Sequence, residues 1–268
     1  RASNYAGEAT FFTDGTKDPS RLVSTWETHR GYFDAFAARL PVPAEQVEIP
    51  YEGTTLPGYV LRTEMSESPR PWLILNNGSD GTATDMWVQS GAAALRRGYN
   101  VLIFDGPGQG AALYRQGLFF RPDWEKVITP VVDYLLTRTD VDPDRIALQG
   151  VSQAGYWVPR AVAFEHRIAA AVADPGVMRV VDSWTQGMPP GELEQYWSAT
   201  GADLEEAKKE IDAAVDEIAA KSPEFAFNIA YRTRPYGTSS YAEALLLLKD
   251  YTLEGITNQI ECPMLITD

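Results

Sequence analysis

Residues 145–155 read RIALQGVSQAG, and the rest of the chain is organised around this stretch. The apolar run IAL leads into GVSQAG, and a segment compatible with a helix, 156–166, follows at once. Strand, abrupt turn and helix form the setting in which Gly-x-Ser-x-Gly makes a nucleophile elbow. Small residues around Ser152 relieve the crowding that so tight a turn creates. Because Ala154 stands where the pattern has its last glycine, with Gly155 behind it, the stretch predicts a variant elbow. The alternative is an ordinary strand-to-helix loop that contains a serine.

Apolar runs and helical periodicities alternate along the middle of the chain. The predicted strands are 47–51, 56–62, 71–76, 99–104, 146–148, 167–173 and 262–267, the predicted helices are 86–97, 124–137 and 156–166, and a turn is predicted at 140–144. The first two strands form a hairpin, and the alternation that follows predicts an α/β fold with a doubly wound, mostly parallel sheet. Such sheets bind ligands at the carboxyl ends of their strands. Ser152, Gly78, Asp105 and Asp174 lie in loops at those ends, which favours the elbow over the ordinary loop.

Four segments differ in pattern. They are a helical arm at 1–44, an α/β core at 45–179, a helical insertion at 180–248, and a resumed core, cut short, at 249–268. The insertion is rich in aromatic residues and strands resume after it, as expected for a cap inserted between two strands of one sheet. Trp184, Tyr196 and Trp197 are expected to line an apolar substrate-binding pocket beneath that cap. A separate helical domain that packs on itself is the alternative.

The composition excludes several classes of partner. With 37 acidic and 23 basic residues, the net charge of −14 argues against nucleic acid and anionic membranes. Hydrophobic residues make up 44%, enough for a sizeable core. The single cysteine, Cys262, excludes an internal disulfide and is expected to pack as a small buried residue. No run reaches the length of a membrane span and no secretory signal is visible, so a cytoplasmic location is expected.

No cofactor and no metal are predicted. The glycines of DGPGQG, at 106, 108 and 110, are similar to a dinucleotide-binding fingerprint. However, their spacing is G-x-G-x-G, Pro107 disturbs the phosphate turn, and no helix is predicted to start there. We interpret the segment as a tight loop beside an active site. The expected partner is a small-molecule substrate, and a homodimer is considered beside a monomer.

The two histidines, His29 and His166, are both poorly placed to activate Ser152. A nucleophilic serine needs an imidazole to take its proton. His29 lies on or beside the apolar stripe of a helix predicted within 18–41, where a packing role is favoured. His166 ends the elbow helix, about 20 Å from Ser152 along the helix axis, and is expected to act as a cation at the helix C-terminus. The triad histidine is therefore not expected in this chain.

Four motifs together resemble the α/β-hydrolase superfamily over about residues 45–268. They are PWLILNNGSDGT, YNVLIFDGPGQG, RIALQGVSQAG and, after the insertion, ECPMLITD. The helical arm and the cap look like the branch that contains 2,6-dihydroxypseudooxynicotine hydrolase and the FrsA-like proteins, with the fungal pigment hydrolases that shorten polyketides. Members of that branch cleave esters or carbon–carbon bonds next to a ketone.

The resemblance implies roles for individual residues. Ser152 would be the nucleophile, and the backbone N–H of Gln153 one oxyanion donor. The second donor would come from the loop after the PWLILN strand, as the backbone N–H of Gly78 or of Ser79. Asp268 is a candidate for the triad acid, although the family's acid lies a few residues further on, and the family's histidine comes later still.

The absence of that histidine leaves three explanations. The chain is a fragment, or a second chain supplies the base, or the protein is a non-enzymatic relative. We favour the fragment and expect about 60 to 100 further residues, which contain the histidine.

The resulting expectation is a serine hydrolase that acts through an acyl-enzyme on Ser152. Its substrate would be small and partly aromatic or polyketide-like, and the bond cleaved an ester or a carbon–carbon bond next to a ketone. The extra carboxylate that the family uses for carbon–carbon cleavage could correspond to Asp174 or to Asp182, and the choice stays open. The alternative function is a non-catalytic ligand-binding or regulatory relative.

Overall fold

One sheet runs through the part of the chain that the computed structural model describes, residues 1–189 and 191–268. Its strands are β1 (Glu45–Tyr51), β2 (Thr54–Leu61), β3 (Arg70–Asn76), β4 (Asn100–Phe104), β5 (Val141–Val151), β6 (Ala170–Asp174) and β7 (Met264–Ile266). Their order is β1-β2-β4-β3-β5-β6-β7. β2 pairs antiparallel with β1 and β4, whereas every other neighbouring pair is parallel. The predicted α/β fold with a mostly parallel sheet is confirmed.

Helices cover both faces of this sheet. They are α1 (Ala2–Phe11), α2 (Leu22–Ala37), α3 (Ala83–Met86), α4 (Ala92–Arg96), α5 (Gly110–Tyr114), α6 (Glu125–Leu136), α7 (Ala154–Val162), α8 (Glu192–Ser198), α9 (Gly201–Lys221), α10 (Pro223–Thr233) and α11 (Tyr241–Leu247). Successive residues of a strand point to opposite faces. Accordingly, Ile74 of β3 packs in one apolar cluster with Val131 of α6, and its neighbour Leu75 packs in another with Phe33 of α2 and Met86 of α3.

The strand register brings the carboxyl ends of the central strands level. Asn76, the last residue of β3, pairs with Phe104 at the end of β4 and with Gly150 near the end of β5. Val151 pairs with Asp174, the last residue of β6. The loops that follow these strands therefore meet at one edge of the sheet, which is where ligands bind in parallel α/β folds.

Three local predictions are wrong. The helix expected from residue 86 begins at Ala83, because Thr82 and Asp85 form a capping box that starts α3. The turn expected at 140–144 is largely strand, since β5 begins at Val141, opposite Arg70, before a shift in register. A helix does begin at Gly110, although α5 is only 5 residues long.

The helical arm is tied to the sheet by a buried ion pair. Arg30 of α2 donates to the carboxylate of Asp105, at the end of β4, with 2.6 Å between the two atoms. The same guanidinium lies 4.5 Å from the ring centroid of Tyr59 in β2. Asp105 also accepts the backbone N–H of Ala111 at 2.9 Å, so one carboxylate connects α2 to the start of α5.

The inserted helices α8–α11 lie between β6 and β7 in sequence and pack on the main core. Leu193, Tyr196 and Leu245 belong to the same apolar cluster as Trp157 of α7, so they do not form a separate core of their own. No helix within 1–189 or 191–268 combines the length and the apolar character that crossing a membrane requires.

The arm and the insertion also contact each other directly. The ring centroids of Phe11 in α1 and Tyr231 in α10 are 4.5 Å apart. Asp14, just after α1, forms an ion pair of 2.5 Å with Arg234, just after α10. These contacts join two segments that are more than 200 residues apart in the sequence.

Candidate active site

Ser152 adopts the backbone conformation of a nucleophile elbow. Its φ of +58° lies in the left-handed region, which only Glu52 shares among the described residues that are not glycine. The cost of such a conformation is of order 1–3 kcal/mol and must be offset by the surroundings. Two backbone hydrogen bonds do so: the N–H of Ser152 donates to the carbonyl of Asp174 at 2.7 Å, and its carbonyl accepts the N–H of Gly155 at 2.8 Å.

The glycines around Ser152 explain why Ala154 is tolerated in the motif. A Cβ on Gly155 would lie 1.7 Å from the carbonyl oxygen of Pro175, and a Cβ on Gly150 would lie 2.5 Å from Val158 and 2.7 Å from the Cβ of Ala154. Real Cβ contacts are essentially never below 3.0 Å. The obligatory glycines are therefore 150 and 155, and the methyl group of Ala154 fits in the space that Gly150 leaves.

The loop after β3 lies directly against Ser152. A Cβ on Gly78 would be 2.8 Å from the Cβ of Ser152, so only glycine permits this approach. Gln109 holds the loop in place, because its amide nitrogen donates to the carbonyls of Asn77 and Gly78, each at 2.7 Å. Its amide oxygen accepts the N–H of Gly106 at 2.9 Å. The DGPGQG segment thus supports the loop beside the serine.

Two backbone N–H groups near the elbow have no hydrogen-bond partner among the residues that the structure describes. The N–H of Gly78 is already engaged by the side-chain oxygen of Asn77 at 3.0 Å, which leaves Ser79 as the donor of this loop. Gln153 forms the N-cap of α7, where backbone N–H groups lack partners within the helix. Neither Ser79 nor Gln153 donates its backbone N–H to another group in the described ranges. This arrangement can stabilise a negative charge that develops beside Ser152.

A cavity of about 440 Å³, here called the elbow cavity, opens above Ser152. It is bounded by the elbow, the loop after β3, the arm and the insertion. Its lining residues are Phe11, Ser79, Asp80, Ser152, Gln153, Pro175, Val177, Val180, Ser183, Trp184, Asn228, Tyr231, Arg232, Pro235 and Tyr236. A second cavity of about 310 Å³, between α1 and the loop after β3, also reaches Ser152. The serine is therefore accessible to a small molecule.

Of the three aromatic residues expected to bind substrate, only Trp184 lies in the elbow cavity. The hydroxyl of Tyr196 donates to the carbonyl of Ala242 at 2.8 Å, and the indole N–H of Trp197 donates to the carbonyl of Leu245 at 2.8 Å. Both side chains fasten α8 to α11 instead. The substrate-binding role expected for Tyr196 and Trp197 is not supported by their positions, because aromatic character alone does not distinguish a cap's lining from its own core.

Asp80 contributes a carboxyl group to the lining of the elbow cavity. It lines both cavities that reach Ser152, and burial raises its pKa above the ordinary value of 3.8, although a hydrogen bond from Ser79 acts in the opposite direction. The sequence shows an acid two residues after Gly78, on the loop expected to supply an oxyanion donor. That position is the signal in the sequence that identifies Asp80 as a candidate site residue, and it was not among the predicted ones.

The two carboxylates considered for the family's extra acid lie elsewhere. Asp174 accepts a hydrogen bond from the hydroxyl of Thr267 at 2.5 Å. The side chain of Asp182 is 63% exposed and lies 3.6 Å from Arg179. Neither aspartate lines the elbow cavity. The position of Asp80 makes it the better candidate, because it alone of the three meets the space above Ser152.

Neither histidine forms a hydrogen bond with Ser152. Nδ1 of His29 lies 2.7 Å from the carbonyl of Ser3, so this nitrogen donates its proton there, and the ring is almost fully buried. Nε2 of His166 lies 3.1 Å from the carbonyl of Ala163, near the C-terminus of α7. Asp268 is exposed and does not line the elbow cavity. Among the residues described, the serine has no imidazole partner.

Comparisons with known proteins found several hydrolases that are similar to this chain. No protein-family model matches the chain. The hydrolase LUC6 of Fusarium sp. is 32% identical over 276 residues, covering 100% of this chain and 64% of the relative. The hydrolase acrC of Aspergillus aculeatus is 32% identical, covering 100% and 65%. The 20-hydroxy-prefusarin hydrolase FUS2 of Gibberella moniliformis is 29% identical, covering 100% and 64%. The chain thus spans slightly under two thirds of the length of these relatives.

Solved structures share the fold. The crystal structure of 2,6-dihydroxy-pseudo-oxynicotine hydrolase aligns with a TM-score of 0.70 at 21% identity, over 98% of this chain and 64% of that one. The α/β hydrolase GrgF from Penicillium sp. sh18 aligns with a TM-score of 0.53 at 18% identity, over 82% and 77%. With the parallel sheet, the left-handed serine after β5 and the supporting loop after β3, these likenesses show that the chain has the α/β-hydrolase fold.

Proposed function

We propose that this chain forms the nucleophile-bearing part of a serine hydrolase. One observation carries the proposal: Ser152 has a φ of +58° at the base of the elbow cavity, between two backbone N–H groups without partners. In the proposed reaction, Oγ of Ser152 attacks a substrate carbonyl, and the N–H groups of Ser79 and Gln153 stabilise the oxyanion. Loss of one such donor typically costs about 3–4 kcal/mol of transition-state stabilisation. Water then releases the acyl group.

The base that activates Ser152 is proposed to come from outside these 268 residues. Neither His29 nor His166 contacts the serine, and an acyl-transfer serine needs an imidazole or an equivalent base. The aligned relatives are longer than this chain, so they hold additional residues from which a histidine and its acid could come.

The position of Asp80 favours cleavage of a carbon–carbon bond next to a ketone over simple ester hydrolysis. Carbon–carbon cleavage expels a carbanion, which must receive a proton, whereas an ester expels an alkoxide that water can protonate readily. A carboxyl whose pKa is raised holds its proton closer to neutral pH and can act as a general acid. The proposed substrate is a small, partly aromatic or polyketide-like ketone, in keeping with the name of the relative that acts on 20-hydroxy-prefusarin.

Labelling with a fluorophosphonate tests the nucleophile in the complete protein. The probe should add one mass increment to the peptide that contains Ser152, and Ser152→Ala should abolish the adduct. Ser183→Ala is a matched control, because Ser183 lines the same cavity but has ordinary backbone geometry, and it should leave the labelling unchanged. A folded protein that takes up no label at Ser152 would instead support the alternative, a ligand-binding or regulatory relative.

A further inference from the structure

The elbow cavity contains an arginine without a carboxylate partner. Other partly buried arginines are each paired with an acidic side chain: Arg30 with Asp105, Arg121 with Asp123, Arg138 with Asp140 and Arg160 with Glu125. Arg232 of α10 differs, because within the described ranges it forms no ion pair. Its Nη2 donates to the carbonyl and the hydroxyl of Ser183, at 3.3 and 3.2 Å, and its other donors stay available.

The guanidinium of Arg232 is held in place by an aromatic side chain. Its central carbon lies 4.4 Å from the ring centroid of Trp184, which also lines the elbow cavity. Such stacking fixes the plane of the guanidinium without consuming its hydrogen-bond donors. Arg232 therefore presents a positioned positive charge to whatever occupies the cavity.

Two other residues that line the elbow cavity, Gln153 and Tyr231, carry neutral donor groups without partners in the described part of the chain. The amide nitrogen of Gln153 and the hydroxyl of Tyr231 are buried, and neither forms a hydrogen bond within the described residues. The amide oxygen of Gln153 is already engaged by the hydroxyl of Tyr236 at 3.1 Å, which directs the amide nitrogen elsewhere. An unsatisfied buried polar group typically costs about 1–3 kcal/mol, so such groups call for a specific explanation.

We propose that the elbow cavity binds a substrate through an anionic oxygen, a carboxylate or an enolate, held by Arg232 with the Gln153 amide and the Tyr231 hydroxyl beside it. This inference rests on the proposed function, since it concerns the substrate of the same cavity. It adds a second recognition position, separate from the backbone N–H groups that receive the oxyanion. A 1,3-dicarbonyl substrate has both parts: its keto form offers one carbonyl to Ser152, and the second oxygen takes up the negative charge when the carbon–carbon bond breaks and the leaving group departs as an enolate.

The acidic residue of the cavity does not fill this role in the absence of substrate. Asp80 lies near enough to influence Arg232 electrostatically, but no ion pair between the two is present in the described part of the chain. Burial raises the pKa of Asp80 and so favours its neutral form, whereas an arginine stays protonated even when burial lowers its pKa. We therefore expect an anionic substrate in the elbow cavity to supply the counter-charge for Arg232.

Binding of matched ligands to the Ser152→Ala protein tests this inference without catalysis. Titration calorimetry would compare 4-phenylbutanoate with its neutral isostere 4-phenylbutanamide, and the enolate of 1-phenylbutane-1,3-dione with 4-phenylbutan-2-one. A charge-assisted hydrogen bond exceeds a neutral one by about 1.4 kcal/mol, so the anion should bind about tenfold more tightly. The pair that shows the preference identifies a carboxylate or an enolate as the ligand. Equal binding within both pairs would overturn the inference.

Replacement of Arg232 assigns the preference to this side chain. Arg232→Met should reduce the preference about tenfold, to near unity. Arg179→Met is the matched control, since Arg179 also stacks on an indole, 5.6 Å from Trp197, but lies outside the elbow cavity. Arg232→Gln, which keeps a polar side chain without the charge, serves if the methionine variant does not fold.

A preference that persists in folded Arg232→Met or Arg232→Gln would contradict the assignment. The comparison of ligands on the unsubstituted Arg232 stands by itself even if both variants unfold. Failure here is also distinct from failure of the proposed hydrolase, because fluorophosphonate labelling of Ser152 does not depend on an anionic substrate.

Discussion

The hydroxyl of Ser152 is surrounded by backbone that tolerates almost no added atoms. Gly78, Gly150 and Gly155 each lie where a Cβ would meet a neighbour at 2.8 Å or less. The strained serine is thus fixed by close backbone packing on three sides, and not by the two hydrogen bonds alone. The precision of the site depends on residues that take no part in the chemistry themselves.

The substitution Gly78→Ala tests this packing at one position. Its Cβ would lie 2.8 Å from both the Cβ of Ser152 and the carbonyl of Val151, so the loop or the serine must shift. A misplacement of about 1 Å can cost 10²-fold in rate, and we expect kcat/KM to fall by about that factor. Steady-state kinetics of the complete enzyme would measure the change.

Gly31→Ala is the control for Gly78→Ala. Gly31 lies in α2, and a Cβ there meets nothing within 4 Å. Alanine should leave kcat/KM unchanged and raise the free energy of unfolding by about 0.5–1 kcal/mol, because glycine is disfavoured inside helices. Full activity in Gly78→Ala would show that the loop after β3 is not held against the serine as described.

The substitution Asp80→Asn tests whether the Asp80 carboxyl acts as a general acid. If the protonated carboxyl delivers a proton to the leaving group, the variant should lose about 10²–10⁴-fold in kcat/KM for carbon–carbon cleavage, and less for an activated ester. The asparagine cannot release a proton, and so it removes the general acid while it keeps the size of the side chain. Comparing the two substrates would locate the loss in the protonation step.

The raised pKa of Asp80 also predicts a pH-dependent stability. Because burial raises the folded-state pKa above 3.8, stability is fully present below that value and declines as the pH rises through the folded pKa. Asparagine does not titrate, so the Tm of Asp80→Asn should exceed that of the wild type more at pH 7 than at pH 4. A pH-independent difference for Asp80→Asn would refute the assigned burial effect.

At the scale of the elements, α2 is joined to the end of β4 by the buried ion pair between Arg30 and Asp105. The side chains of Arg30 and Asp105 are 9% and 6% exposed. Removing one partner of a buried ion pair leaves an uncompensated charge and typically costs about 3–5 kcal/mol. We expect that loss in the free energy of unfolding for Arg30→Met, measured by chemical denaturation.

Arg115→Met is the matched control for this measurement. Arg115 also pairs with a carboxylate, Glu27 at 2.6 Å, and also lies over an aromatic ring, Trp26 at 5.1 Å. Its side chain is 50% exposed, so its loss should cost only about 0–1 kcal/mol. Similar losses for the two variants would mean that burial of the Arg30 pair does not stabilise the position of α2.

Elements with a clear local signal could be predicted from the sequence, and others could not. The central strands form continuous apolar runs, and β4 is buried at all its positions, so their existence followed from pattern alone. The start of α3 was missed although Thr82-x-x-Asp85 is a capping-box pattern, because the apolar periodicity begins later. The helix α5 was missed because five residues are too few to show a period.

At the scale of the whole molecule, the sequence located the serine but not most of the cavity around it. The residues of the elbow are contiguous in the sequence, and their small side chains predict a tight turn. Phe11, Tyr231 and Arg232 meet above it only because α1 and α10 pack together, and no local periodicity encodes that contact. Long-range closure of this kind depends on tertiary packing.

The contact between α1 and α10 has a consequence for how such a protein diversifies. The groups assigned to bond making and breaking, Ser152, Ser79, Gln153 and Asp80, come from strand ends and the turn that follows β5. The residues that cover the cavity come from α1 and α10, and the ion pair between Asp14 and Arg234 joins the two segments. Substitutions in α1 or α10 would therefore change which molecule fits the cavity, while the residues at the strand ends stay the same.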